Sequence, residues 1–217
     1  NIHRGMYDIA EQATEAFENA RKKVAQFINA ETDEIIFTRS ATESLNLACF
    51  LLHQKMPTDF QIAATVLEHH SLYLPLDRLA RQHEKKLRLL PLTATFTAID
   101  LPRFVSAVKG KPTLLGVTQM SNVLGIQPPL KKMIPMTHAH GGLVIVDAAQ
   151  SVAHQPIDVK KLDCDALAFS GHKMFGPTGI GVLYLARKHH KDLEPFILGG
   201  GMINDLNANG PVWEDIP

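Results

Sequence analysis

Apolar residues recur along this chain in two rhythms. Residues 8–29 carry Ala13, Phe17, Ala20, Val24 and Phe27 at helical spacing, which predicts a helix with that stripe turned to a core. Asp8, followed three residues later by Glu11, is its expected N-cap. The rhythm then changes to short apolar runs over 34–38, 61–66, 87–92, 113–118, 143–147, 166–170 and 182–186. Helical patterns over 42–54, 75–85, 100–109 and 130–140 lie between most of them, and a last helix is expected over 187–194. Strands alternating with helices build βαβ units, in which a mostly parallel sheet is covered on both faces. The final link differs. Only the ten residues 171–180 and the turn at Gly181 separate the sixth and seventh runs, which is short for a parallel crossover. Gly176-Pro177-Thr178-Gly179 favours a tight reversal instead. The expected fold is therefore α/β, a mostly parallel seven-stranded sheet with one antiparallel strand and helices on both faces.

Residues 1–198 are expected to form this large domain, and 199–217 an extended segment leading to a missing C-terminal domain. Gly199-Gly200-Gly201 and 204–210 read as irregular, exposed chain. Asn1 is not a start methionine, and no closing helix follows Trp213, so the chain reads as truncated at both ends.

Composition narrows the function classes. The 217 residues include 22 Lys+Arg, 22 Asp+Glu and 45% apolar residues, which is globular rather than disordered. A formal charge of zero gives no electrostatic case for nucleic acid or an anionic membrane. No apolar run reaches the roughly 18 residues that a membrane helix needs. Cys49 and Cys164 are too few for a disulfide framework or a four-thiolate zinc site. The 11 His residues do not add up to a metal site. His69 and His70 are adjacent and point different ways; His138 and His140 face apart on a helix and read as surface.

Ligands of open α/β sheets bind outside the carboxyl ends of the strands, which selects among the polar residues. Asp147 closes a strand of four apolar residues, so its carboxylate is poorly solvated and wants a cation, or else caps the next turn. Lys173, in Ser170-Gly171-His172-Lys173, is a Schiff-base candidate if partly desolvated, or else a solvated loop lysine. Ser40-Ala41-Thr42-Glu43 opens a helix, and reads as a capping box or as an anion site made of hydroxyls and free N–H groups. His69 is a ligand, an aromatic platform or a surface imidazole; Asn122 bonds a ligand or makes a turn. Aldehyde-reactive amine, ring-nitrogen carboxylate, flat side chain and anion site together suit pyridoxal phosphate. Competing cofactor motifs fail. Gly179-Ile180-Gly181 precedes a strand rather than following one, and Gly171-His172-Lys173 lacks the Walker spacing and its Ser/Thr.

At these residues the chain resembles a SUF-type cysteine desulfurase / selenocysteine lyase, of the class V aminotransferase family of fold-type I pyridoxal-phosphate enzymes. The matching segments run in family order: Asn1-Ile2-His3-Arg4-Gly5, Glu34-Ile35-Ile36-Phe37-Thr38-Arg39, Thr42-Glu43, Glu68-His69-His70-Ser71, Ser121-Asn122-Val123-Leu124-Gly125, Val146-Asp147-Ala148-Ala149-Gln150 and Leu162-Asp163-Cys164-Asp165. The block from Phe169-Ser170-Gly171-His172-Lys173 through Gly179-Ile180-Gly181 is the longest and most specific.

The resemblance implies roles. Lys173 binds the cofactor and moves protons, Asp147 pairs with the pyridine nitrogen, and His69 stacks on the ring and acts in acid–base steps. Gln150 bonds the phenolic oxygen. Thr42, Ser170 and His172 hold the phosphate with backbone help at Ala41, and Asn122 lies beside the cofactor and substrate carboxylate. His3 and Glu43 fall near the entrance or a dimer contact. The implied reaction takes sulfur from L-cysteine, with L-selenocysteine as a substitute, and leaves alanine and an enzyme persulfide. Implied with it are a sulfur-acceptor protein, supply to Fe–S cluster assembly, a homodimer and a cytoplasmic setting. Another class V reaction and a non-catalytic cofactor-binding or dimerisation fragment remain as alternatives.

Departures from the family pattern are Ser40-Ala41 where Gly-Thr is usual, Gln119 for a common His and Ala148 for a common Gly. The family's nucleophilic cysteine and carboxylate-binding arginines are expected in a portion beyond residue 217. Cys49 and Cys164 read as core, and the chain taken by itself is expected to show little or no turnover.

Overall fold

The computed structural model describes residues 7–200, 202–208 and 210–213. His3 and its flanking motif lie outside the described residues.

The first helix, α1 (Asp8–Ile28), covers the expected span, but Asp8 is not its N-cap. Tyr7 is its N-cap, and Asp8 and Glu11 lie in the first turn, where their charge meets the positive end of the helix dipole. Its buried line is Ala10, Arg21, Ala25 and Ile28, with Phe17 and Val24 half-buried. Phe27, Ala13 and Ala20 face outward. The charged Arg21 hides the true stripe in the sequence: its guanidinium lies over Phe17 and Phe37 and donates to the Ile35 carbonyl.

The strands are β1 (Ile35–Thr38), β2 (Gln61–Thr65), β3 (Leu87–Leu90), β4 (Thr113–Thr118), β5 (Leu143–Asp147), β6 (Ala166–Ser170) and β7 (Gly181–Leu185). They form one sheet in the order β1-β7-β6-β5-β4-β2-β3. β7 pairs antiparallel with both β1 and β6, while every other pairing is parallel. Six strands thus share one direction and β7 opposes them, as the short link before it requires.

Alternate side chains of each strand enter separate cores. Val144 and Val146 pack with α1, α4 (Leu101–Val108), α5 (Leu130–His138) and the short α6 (Val159–Leu162). Ile145, Ala166 and Ala168 pack with α2 (Ala41–His53) and α3 (His70–Gln82) on the other face. Covering both faces explains why the central strands are apolar throughout.

Three further expectations are corrected. α3 starts at His70, not at 75, and carries Pro75 inside it. No helix runs over 187–194; Arg187–His189 is a single 3-10 turn. Residues 204–210 are exposed but not irregular: β8 (Ile203–Asn207) and β9 (Gly210–Trp213) pair as an antiparallel hairpin. The overlooked signal was the Asn209-Gly210 dipeptide, a hairpin-turn composition.

Candidate active site

The carboxyl ends of β2, β4, β5 and β6 and the N-terminus of α2 meet at one edge of the sheet. A cavity of about 190 Å³ opens there. All nine cofactor-contact candidates read from the sequence line it. Ala41 and Thr42 come from α2, His69 from the cap of α3, Asn122 from beyond β4, and Asp147 and Gln150 from the end of β5. Ser170, His172 and Lys173 come from the end of β6.

Asp147 is 5% exposed, and its Oδ1 accepts the Ala149 N–H at 2.9 Å. Burial pushes its carboxyl above the usual range, while that N–H and nearby His69 and Lys173 act the other way. A poorly solvated carboxyl at the end of a buried strand, with potential cations nearby, is what the sequence led one to expect.

β6 ends at Ser170 and gives way to a 3-10 turn, Gly171–Met174. Gly171 anchors the turn, donating to the Ile180 carbonyl and accepting from Gly176 N–H, each at 2.9 Å. The turn carries Lys173 three residues past the buried strand and into solvent. The expected desolvation of this lysine is therefore absent. The tip of a buried strand is not itself buried once a turn lifts the chain off the sheet.

Ser40 caps α2, its Oγ accepting the Glu43 N–H at 3.3 Å. The capping box stays half-made, because the Glu43 carboxylate turns back to the Arg39 N–H at 2.6 Å and its guanidinium at 2.7 Å. Glu43 therefore does not line the cavity. The Ala41 N–H donates to Ser170 Oγ at 2.7 Å. That bond ties α2 to β6 and leaves the Ser170 hydroxyl proton free to donate. Gly181, at the start of β7, makes this approach possible: a Cβ there would lie 2.3 Å from the Ser40 carbonyl carbon.

His69 caps α3. Its Nδ1 accepts the Ser71 N–H at 3.1 Å and lies 2.9 Å from Ser71 Oγ. A backbone N–H only donates, so Nδ1 presents a lone pair and the proton of the neutral ring sits on Nε2. Ser71 Oγ is also 2.8 Å from Thr42 Oγ1, which links the imidazole to the α2 terminus. Asn122 sits on a turn in which Ser121 Oγ accepts the Val123 and Leu124 N–H groups, both at 3.3 Å.

The sequence reading missed Ser71, Thr118 and Met120, which also line the cavity. Ser71 was legible as a hydroxyl two residues after a histidine at a helix start. Thr118 and Met120 carried no such signal. Neither cysteine reaches the cavity. Both are buried, with the Cys49 thiol pushed up to about 12 by burial and Cys164 pushed up by burial and Asp165. His140 is exposed as expected, whereas His138 is half-buried, with its Nε2 2.8 Å from buried Asp165.

The aminotransferase class-V pattern matches residues 1–217. The chain belongs to the aminotransferase class-V family. Within the family, it is 42% identical over 220 residues to the cysteine desulfurase of Pectobacterium atrosepticum, covering 100% of this chain and 54% of that protein. It superimposes on the apo structure of the cysteine desulfurase of Thermococcus onnurineus with a TM-score of 0.92 at 39% identity, over 100% of this chain and 54% of that one. The S-sulfonic acid form of the Escherichia coli cysteine desulfurase CsdA gives a TM-score of 0.87 at 36% identity, over 100% and 55%. The chain spans about half the length of the curated relatives it matches. Among the described residues no helix is long and apolar enough to cross a membrane.

Proposed function

We propose that this chain carries the pyridoxal-phosphate site of a cysteine desulfurase, which takes sulfur from L-cysteine and yields alanine and an enzyme persulfide. The carrying observation is the pairing, in one cavity, of a buried carboxyl that wants a cation with a helix N-terminus and hydroxyls that suit an anion. That donor set fits pyridoxal phosphate, whose ring nitrogen and phosphate carry opposite charges. Similarity to named cysteine desulfurases supports the choice of reaction.

Bound pyridoxal phosphate supplies an electron sink that acidifies the Cα–H of an amino acid. The rest falls to the chain. Thr42 Oγ1, Ser170 Oγ–H and His172 hold the phosphate, with the α2 N-terminus at Ala41 behind them. Asp147 keeps a proton on the ring nitrogen, and Gln150 donates to the phenolic oxygen. Lys173 holds the cofactor and carries the Cα proton, for which its exposed, flexible stem has the reach. His69 offers its Nε2–H face as a flat wall and proton donor. Asn122 orients the substrate carboxylate.

Residues 1–217 hold no accessible thiol, so the persulfide needs a cysteine outside these residues. That favours a second reading for the chain taken alone, as a cofactor-binding module without turnover. The sulfur-acceptor protein, Fe–S cluster supply, selenocysteine use, homodimer and cytoplasmic setting belong to the same proposal. Incubating the full-length protein with pyridoxal phosphate and L-cysteine, then assaying alanine and sulfide, tests it. Equimolar alanine and reducible sulfur are expected; formation of pyruvate or of a keto acid without sulfur release would reject it.

A further inference from the structure

Glu68 lies between β2 and α3, one residue before His69, and its carboxyl turns inward. Thr65 Oγ1, at the end of β2, donates to its Oε1 at 2.5 Å. Its Oε2 is sealed from solvent and bonds to nothing, the one such buried side-chain oxygen or nitrogen among the described residues. β4 sets Thr118 opposite Asp147 on β5, and β2, paired to β4 as far as Ala64 opposite Gly116, ends at Thr65 close by. Thr118 and Asp147 line the cavity, and the buried Glu68 carboxyl lies behind that lining, close enough for its charge and that of Asp147 to interact.

Their surroundings are unequal. Asp147 accepts a backbone N–H and faces the cations or potential cations of His69 and Lys173. Glu68 has the Thr65 hydroxyl as its one close side-chain donor, weaker help from the backbone of Thr118 and Thr65, and an Oε2 with no well-formed hydrogen bond. A carboxylate with an unpartnered, dehydrated oxygen is the costlier state, and a carboxylic acid the cheaper one. One proton shared by this pair belongs on Glu68.

We propose that Glu68 is a positioning residue for the ring-nitrogen site: a neutral carboxylic acid behind the cavity that leaves Asp147 the single anion at this end, and whose ionisation adds a second negative charge beneath it. It rests on the cavity's being a pyridoxal-phosphate site. Burial pushes the Glu68 carboxyl up to about 8, helped by the charge of Asp147 and opposed by the Thr65 hydroxyl and the backbone of Thr118 and Thr65. The charged neighbours are Asp147 on β5, acting directly, and His69 at α3 and Lys173 after β6, acting through Asp147; β4 contributes the uncharged Thr118. Above that pH a second negative charge tightens the hold of the site on every proton facing Asp147, including one on a bound ring nitrogen.

Linkage gives an independent signature. Because the folded value is raised above the ordinary 4.5, the associated stability is fully present below that pH and is lost as pH rises through about 8. Glu68→Gln removes that loss, so its melting temperature is expected to exceed that of the wild type at pH 9 relative to the difference at pH 5.

The decisive measurement is the infrared carbonyl stretch of a protonated carboxylic acid in the full-length protein without cofactor. The band is expected at pH 7, is expected to vanish with a midpoint near 8, and is expected to be missing in Glu68→Gln. Thr65→Val, which removes the hydroxyl donor, is expected to move the midpoint upward and serves if Glu68→Gln fails to fold. With pyridoxal phosphate bound, the proton-linked absorbance midpoint of the cofactor is expected about one unit higher in the wild type than in Glu68→Gln at alkaline pH. No acid band at pH 7 overturns the neutral Glu68; equal cofactor midpoints overturn its action on the ring. Failure to bind pyridoxal phosphate at all would instead reject the cofactor reading, and the infrared band would still decide the state of Glu68.

Discussion

Lys173 shows how little the immediate surroundings must do for a residue whose chemistry is intrinsic. It is exposed, sits on a turn of four residues, and gains its setting from Asp147 and His69 across the cavity. Its amine is the only primary amine among the described residues that line the cavity. Lys173→Ala leaves Asp147, Ser170 and the α2 terminus in place, so the variant is expected to fold normally and to retain reversible pyridoxal phosphate binding. It is expected to lose the visible absorbance of the lysine-bound cofactor, to release the cofactor on dialysis, and to fall in turnover by on the order of 10³-fold or more. Absorbance that survives the substitution would show that the lysine is wrongly assigned. Sequence alone could name this residue but not its exposure, because a strand tip and the turn beyond it differ by only a few residues.

Elements fix where those residues meet. Gly181 is the clearest case. It opens β7, pairs with Ser170 on one side and Thr38 on the other, and lies directly beneath Ser40. A methyl group there has only backbone to displace, and must push the N-cap of α2 away from β6. Gly181→Ala is expected to destabilise the protein by roughly 1–3 kcal/mol in urea unfolding. It is also expected to weaken binding of inorganic phosphate more than a surface Gly→Ala control does, since the Ala41–Ser170 bond holds together the proposed anion end. All seven strands and the reversal of β7 were legible because buried parallel strands need apolar runs and short links cannot cross over. The start of α3 was not, because Pro75 mimics a helix boundary while His69, an uncommon cap, does the capping. Nor was the 3-10 turn at Arg187–His189. Its basic residues look like a helix end, yet the buried His189 and the half-exposed Lys188 both reach Asp165, which is distant in sequence. Glu68 was read only as part of the run Glu68-His69-His70, since nothing local says that its carboxyl folds inward.

At the scale of the whole molecule, β6 separates function from stability. Its carboxyl end supplies Ser170 to the cavity, and its amino end begins beyond Asp165, which is fully buried. Asp165 gathers distant parts of the chain. Its carboxylate accepts from the Val144 N–H at 2.7 Å and meets His138 Nε2 at 2.8 Å, His189 Nε2 at 2.7 Å and Lys188 Nζ at 2.8 Å. Burial raises the Asp165 carboxyl, but hydrogen bonds from His138, His189 and Lys188 outweigh it and hold the group well below the usual carboxylate range. The sign follows from linkage: the stabilisation is present above the ordinary value of 3.8 and is lost as pH falls toward the depressed one. Asp165→Asn removes a buried carboxylate from the half-exposed Lys188 ammonium and from the His138 and His189 imidazoles, which is expected to cost about 1–3 kcal/mol at neutral pH. The gap from wild type is expected to narrow as unfolding is measured at progressively lower pH. Because the cluster lies a full strand length from the cavity, pyridoxal phosphate affinity at a temperature where both proteins are folded is expected to stay within a factor of two. A large loss of affinity with unchanged acid stability would mean that the two ends of β6 are coupled and that Asp165 belongs with the site rather than with the scaffold.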